Sequence, residues 1–220
     1  MKATGPIPDG FGASSNGELL IGGRPASGLV AEAGGSPLFV YDSALVLRQI
    51  QRFRAAFPNV ALHYAVKANP YGPLISFISG HVQGLDLASA GELTLVNQSG
   101  ATTLPMSFAG PGKRDDELLA AIESDVTIHV ESAGEADRLL TLAARQGRRP
   151  KVAVRVNPPF GLKGSGMKMG GLASPFGVDH DRAPDLIRRI LASGADWRGL
   201  HVYAGSQSLS ADALIESHRA

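Results

Sequence analysis

The stretch His63-Tyr64-Ala65-Val66-Lys67-Ala68-Asn69-Pro70 decides how this chain is read. Its first half continues an apolar run from Val60 and reads as a buried strand over 60–66. Lys67 closes that run, and Asn69, Pro70 and Gly72 mark a turn just behind it. A strand that ends in lysine and then turns sets an amine at the carboxyl edge of a sheet or barrel, where parallel α/β folds bind ligands. Lysine is rarely buried without a partner. Lys67 therefore either reaches solvent along its aliphatic stem or is held there for chemistry.

On both sides of this stretch the pattern alternates. Leu38-Phe39-Val40-Tyr41 is strand-like, and Asp42 or Ser43 caps a helix with the apolar stripe Val46, Ile50, Phe53 and Phe57, ended by Pro58. Strands are expected over 60–66, 84–88, 105–109, 126–130, 151–156 and 199–204, with helices between them. Ser89-Ala90-Gly91-Glu92 and Ser132-Ala133-Gly134-Glu135 each fit a capping box directly after a strand, and Gly147 closes the second helix. Strand–helix alternation at this spacing predicts βαβ units and a parallel sheet. Residues 1–28 are rich in Gly, Pro and Ser and read as an irregular arm with one weak strand at Glu18–Ile21. The Gly-rich interval from Asn157 to Val178 includes Lys163, Gly164, Gly166, Lys168, Gly170 and Gly171. A loop that long reads as a functional lid over the face that carries Lys67.

Composition narrows the function. The 220 residues have room for one good-sized domain, or one and part of another. There is no cysteine, so neither a disulfide framework nor a thiolate metal site is available. Twenty-one Lys+Arg against 20 Asp+Glu leave a formal charge of +1, without the basic surplus of a nucleic-acid binder. The one dense basic run, Arg148-Arg149-Pro150-Lys151, reads as a solvated helix end. No 18-residue apolar stretch and no signal-peptide pattern is seen, so the expectation is a cytoplasmic protein with no membrane and no nucleic-acid partner.

Common catalytic motifs are absent. No phosphate loop ends in Gly-Lys-Ser/Thr, Gly164-Ser165-Gly166 lacks the dinucleotide spacing and setting, no histidine pair has the spacing of a zinc helix, and there is no Gly-x-Ser-x-Gly. What remains is a ring of functional groups at successive strand ends: Lys67, Asp86, Gly110 to Lys113, Arg155 and His201, followed by Gly205-Ser206. Barrel active sites are assembled in this way. Each group alone has a plainer reading: Asp86 as a helix cap, Arg155 as the partner of a carboxylate, His201 as a core histidine.

The order of these groups resembles the fold-type III pyridoxal-phosphate decarboxylases, the family of diaminopimelate and ornithine decarboxylases. Leu38–Asp42 is similar to its entry segment and Tyr64–Asn69 to its lysine motif. Leu85-Asp86-Leu87-Ala88-Ser89-Ala90-Gly91-Glu92 resembles its Asp-x-Ala-Ser-x-x-Glu segment, and Phe108–Lys113 its Pro-x-Lys block. Arg155-Val156-Asn157-Pro158 resembles Arg-x-Asn-Pro. Phe176-Gly177-Val178 is similar to Lys-Phe-Gly-Ile with Pro175 in place of the lysine. His201-Val202 with Gly205-Ser206 resembles His-x-Gly-Ser with two residues inserted. Met167-Lys168-Met169-Gly170-Gly171 and Tyr203–Gln207 resemble a subgroup associated with exosortase systems or acting on carrier-bound amino acids.

The resemblance, which runs from about residue 25 to 220, implies a (β/α)8 barrel of the alanine-racemase type. About six of its strands are expected in 37–220, with an arm over 1–36 that would pack on a C-terminal β-domain missing from this chain. It implies pyridoxal 5'-phosphate as cofactor and decarboxylation of an amino acid, free or carrier-bound, by a homodimer. Lys67 would form the Schiff base and His201 would stack on the ring, so both are catalytic. Asp86, Arg155, Gly205 and Ser206 would bind cofactor, with Gly205 and Ser206 at its phosphate. Asp86, Glu92 and Arg155 would orient Lys67, and Lys113 would support them.

The later Glu-Pro-Gly-Arg segment of the family has no counterpart here, which predicts a fragment inactive on its own. Two other readings stay open: a single-domain pyridoxal-phosphate carrier without turnover, and an alanine-racemase-like enzyme.

Overall fold

The computed structural model describes residues 10–160, 167–168, 174–203, 205–206 and 210–219. The chain divides into two compact units, Met1–Val60 and Ala61–Ala220.

In the first unit, short strands β1 (Gly12–Ala13), β2 (Leu19–Ile21) and β3 (Arg24–Pro25) form an antiparallel sheet. Helix α1 (Ala26–Glu32) follows. The strand expected at Leu38–Tyr41 does not form: these residues have no regular structure, and Phe39 is 83% exposed. An apolar run with no neighbouring strand gains nothing from extended pairing, because its ladder partners are what stabilise a strand. Helix α2 (Ser43–Ala56) is capped by Asp42, whose Oδ1 accepts a hydrogen bond from the Ala44 amide at 2.8 Å. Of its expected stripe only Ile50 is buried, and Phe57 is exposed.

The second unit is a β/α alternation. Its elements are β4 (His63–Ala65), a single 3-10 turn at Val66–Ala68, α3 (Gly72–Ser79), β5 (Gly84–Leu87), α4 (Ala90–Ser99), β6 (Met106–Phe108), α5 (Asp115–Glu123), β7 (Thr127–Val130), α6 (Ala133–Arg145) and β8 (Lys151–Asn157). After them come β9 (Met167–Lys168), β10 (Val178–Asp179), α7 (Ala183–Ala192), β11 (Asp196–Val202), β12 (Gly205–Ser206) and α8 (Ala211–Arg219).

Seven strands make one parallel sheet in which β4 to β8 are neighbours in chain order. Strand β11 lies on the far side of β8 from β7, and β10 pairs with the last two residues of β8. The two-residue β10 was not foreseen. It forms because Gly177 (φ +83°) lets the chain turn tightly against β8, where an added Cβ would stand 3.0 Å from the Arg155 carbonyl and the Asn157 amide.

The core lies between the sheet and its helices. Leu85, Leu87, Phe108, Ile128, Val130, Val152 and Val154 from the strands meet Ile75, Leu118, Leu139 and Ile190 from the helices, all essentially inaccessible. Each such side chain contributes about 1.5–3 kcal/mol of transfer free energy. The helices present these residues at intervals of three and four, as in Ala183, Leu186 and Ile190 of α7.

The opposite face of the sheet is polar or small. Strand alternation and register bring Ala65, Asp86 and Ser107 into one row, and Arg155 and His201 into another. The sheet curls over this face. Although β4 and β11 are its two flanks, Lys67 Nζ at one flank lies 5.7 Å from the centre of the Tyr203 ring just beyond the other. This is a partial (β/α) barrel.

Candidate active site

The turn that carries Lys67 is braced by its own sequence. The Tyr64 hydroxyl donates to the Asn69 carbonyl at 2.9 Å, the Asn69 amide donates to the Val66 carbonyl at 3.1 Å, and Asn69 Oδ1 accepts from the Tyr71 amide at 3.1 Å. Val66, fully buried, anchors the turn. The expected buried strand over 60–66 shrinks to 63–65. Among the described residues strand β4 has a single ladder neighbour, Val60 is 53% exposed, and Lys67 sits in the turn that follows the strand with its side chain exposed. Among the described residues the Lys67 amine has no hydrogen bond or ion pair.

The other expected site residues fall on the same polar face or at its carboxyl edge. Asp86 accepts a hydrogen bond from Ser107 Oγ at 2.8 Å. Arg155, 6% exposed, is held by Glu131: Nη1 donates to both carboxylate oxygens at 2.9 Å. The guanidinium also stacks on Phe176, with Cζ 4.9 Å from the ring centre. Glu131 Oε1 accepts from the Gly110 amide as well, at 2.6 Å, so one buried carboxylate ties the end of β7 to β8 and to the loop after β6. Lys113 is 3% exposed, and its Nζ donates to the carbonyls of Gly110 and His129 and to Glu135 Oε1, all within 2.8 Å. Gly205 and Ser206 lie in β12, paired antiparallel with Met167–Lys168. Lys163, Gly164, Gly166, Met169, Gly170, Gly171, Ala204 and Gln207 lie outside the described residues.

Glu92 and Glu135 occupy equivalent places. Each follows a serine N-cap whose hydroxyl accepts its amide, and each carboxylate reaches back to the amide of the residue before that serine, Ala88 or Glu131. Among the described residues, neither Glu92 nor Asp86 pairs with Lys67.

His201 packs against a residue that the sequence reading passed over. His129 of β7 lies with its ring centre 4.5 Å from that of His201, the planes tilted by 40°. Burial holds the His129 imidazole down to about 3, and the nearby Lys113 and Arg155 charges add to this, as do His201 and His63 when protonated. His201 is lowered too, first by burial and then by Arg155, against a smaller pull upward from Asp86 and Glu131. Both rings are therefore neutral at pH 7.

Glu131, Ser107 and His129 also went unnamed in the sequence reading. The signal for two of them was present in Thr127-Ile128-His129-Val130-Glu131, where polar residues alternate with apolar ones as on a strand with one polar face.

A family model described as the pyridoxal-dependent decarboxylase, pyridoxal binding domain, matches residues 43–219. The chain is 32% identical over 187 residues to an L-glutamyl-[BtrI acyl-carrier protein] decarboxylase of Niallia circulans, covering 83% of this chain and 43% of that protein. It is 34% identical over 197 residues to a diaminopimelate decarboxylase of Aquifex aeolicus, covering 88% and 47%. The crystal structure of diaminopimelate decarboxylase from M. jannaschii in co-complex with L-lysine superposes with a TM-score of 0.85 at 26% identity, over 96% of this chain and 51% of that one. The chain thus spans about half the length of the relatives it matches.

Proposed function

The chain belongs to the pyridoxal-dependent decarboxylases through their pyridoxal-binding domain, and on that premise we propose that Lys67 holds pyridoxal phosphate for the decarboxylation of an amino acid. The observation that carries this reading is an exposed primary amine, unpaired among the described residues, on a braced turn at the carboxyl edge of a parallel sheet. The donor set around it suits the group: a free amine, a flat neutral imidazole in His201, a carboxylate in Asp86 and a fixed guanidinium in Arg155. When bound, the cofactor supplies an electron sink for the pair left behind as the α-carboxylate departs as CO₂.

The chain's own part is to bind and orient. Lys67 provides the covalent hold and, on release, an amine able to carry a proton. His201 offers a flat face that stays uncharged, so it packs against an aromatic ring without adding charge to it. Ser107 holds Asp86, and Glu131 holds Arg155, at fixed points of the same face. Gly205 and Ser206 would hold the phosphate of the bound cofactor, and Glu92 and Lys113 would act behind these groups by fixing the loops that carry them.

The substrate is an amino acid, free or carrier-bound. The carrier-bound form is supported by the likeness to the Niallia circulans enzyme and the free form by the likeness to diaminopimelate decarboxylases. An exosortase-associated role rests on the resemblance of Met167–Gly171 and Tyr203–Gln207 alone. Among the described residues no helix is long and apolar enough to cross a membrane. That the working protein is a cytoplasmic homodimer is part of the proposal and rests on the family resemblance. The 220 residues alone bind cofactor without turning over.

The test is reconstitution with pyridoxal phosphate, borohydride reduction and peptide mapping. An adduct on the peptide containing Lys67, lost in Lys67→Ala, is expected. An adduct unchanged in Lys67→Ala overturns the proposal.

A further inference from the structure

We propose that His129 is a positioning residue: its ring, packed against that of His201, sets the plane in which His201 would meet the bound cofactor. The inference rests on the reading of Lys67 and His201 given above, and no resemblance pointed to His129.

Its basis is what does and does not hold His201. A buried imidazole is ordinarily oriented by a hydrogen bond to one of its nitrogens, which fixes both ring plane and tautomer. Here Nδ1 of His201 is buried without a partner among the described residues, and so is Nδ1 of His129. The contact between the two rings, 4.5 Å centre to centre, takes over that function.

His129 is itself well fixed. It sits within β7, whose neighbours β6 and β8 are both in place, and its carbonyl accepts from the buried Lys113 ammonium at 2.8 Å. His201 lies on β11, whose only described ladder neighbour is β8. The ring on the central strand thus disciplines the ring on the flanking one. The groups that act on His129 are His201 from β11, Lys113 from the loop before α5, Arg155 from β8 and His63 from β4, and the carboxylates Asp86 and Glu131 act in turn on His201. The stack is a contact of two neutral rings and carries no net charge toward the site.

Two volume-filling variants separate ring stacking from mere packing. His129→Phe keeps a flat ring, whereas His129→Leu keeps bulk without one. In the cofactor-free 220-residue protein, the titration of His201 followed by NMR reads the contact directly. His129→Phe is expected to leave the midpoint below the ordinary 6.5, and His129→Leu to move it upward as the loosened ring gains water. With pyridoxal phosphate added, His129→Leu is expected to bind about three- to tenfold more weakly, the range an aromatic pair supplies. It is also expected to lose most of the induced circular dichroism per bound cofactor, while His129→Phe stays within about twofold of the parent. If Leu and Phe behave alike in both readouts, whether both intact or both impaired, the proposal is overturned. Should His129→Leu not fold, His129→Val makes the same comparison. A parent protein that forms no Lys67-dependent adduct would defeat the cofactor reading alone, and the NMR arm would still decide the role of His129.

Discussion

The centre of the sheet and its β4 flank treat charge in opposite ways. Around the carboxyl ends of β6, β7 and β8, Glu131, Arg155, Lys113 and Glu135 have side chains at most 7% exposed, and each finds its counter-charge within 2.9 Å. At the β4 flank, Lys67 is exposed and has no ionic partner among the described residues. The central groups can be buried because neighbouring segments supply acceptors: two carbonyls and Glu135 for Lys113, and both oxygens of Glu131 for Arg155. The flanking strand has one neighbour among the described residues and does not offer the same shelter. An amine meant to react with an incoming aldehyde must stay accessible, so the open flank suits Lys67, and the closed centre holds what surrounds it in place.

The sharpest way to break this contrast is to remove one charge from the centre. Glu131→Ala leaves Arg155 buried without its carboxylate and the Gly110 amide without its acceptor. A loss of about 3–5 kcal/mol in denaturant unfolding is expected. Adding Arg155→Met to Glu131→Leu should return much of that loss, because an apolar pair carries no desolvation cost.

Acidification tests the same region. An imidazole whose folded value lies near 3 stays neutral in the folded chain while its unfolded counterpart, near 6.5, takes up a proton. The contribution of His129 is therefore complete above pH 6.5 and falls away as the pH drops toward 3, at up to about 1.4 kcal/mol per pH unit. His201 adds a contribution of the same sign. Melting curves from pH 7 to pH 4 should show the decline, and His129→Phe should lower its slope by one proton. Ser107→Ala removes one donor from Asp86 and is expected to cost about 1 kcal/mol, measured in the same assay. Lys67→Ala should change stability least, by no more than about 0.5 kcal/mol, while abolishing the cofactor adduct. A large loss of stability in Lys67→Ala would erase the distinction between flank and centre.

The alternation of strands and helices was legible because α4 and α6 announce themselves with Ser-x-x-Glu, a glycine follows α3, α4 and α6, and each central strand is a short apolar run. Lys67, Asp86, Arg155 and His201 were legible as strand-end groups. The strand at 38–41 was misread because hydropathy records the wish to be buried and not the presence of a partner. Glu131 and His129 were missed for a different reason. Their meaning arises from contacts across the sheet, with Arg155 24 residues away and with His201, and no local pattern encodes a pairing at that range. Lys113 read as a supporting group near the site. Its role as a buried tie among two carbonyls and Glu135 needed the fold to bring three segments together.

The order of the strands carries one more consequence. From β4 to β8 each strand lies beside the one made just before it, so every pairing closes over a single helix. As the chain leaves the ribosome from its N-terminal end, each new strand finds its template already present and waits for nothing downstream. Growth of the sheet can keep pace with synthesis. Lys67 lies just past the first strand of this sheet and precedes His201 by 134 residues, so the lysine turn emerges long before the histidine strand.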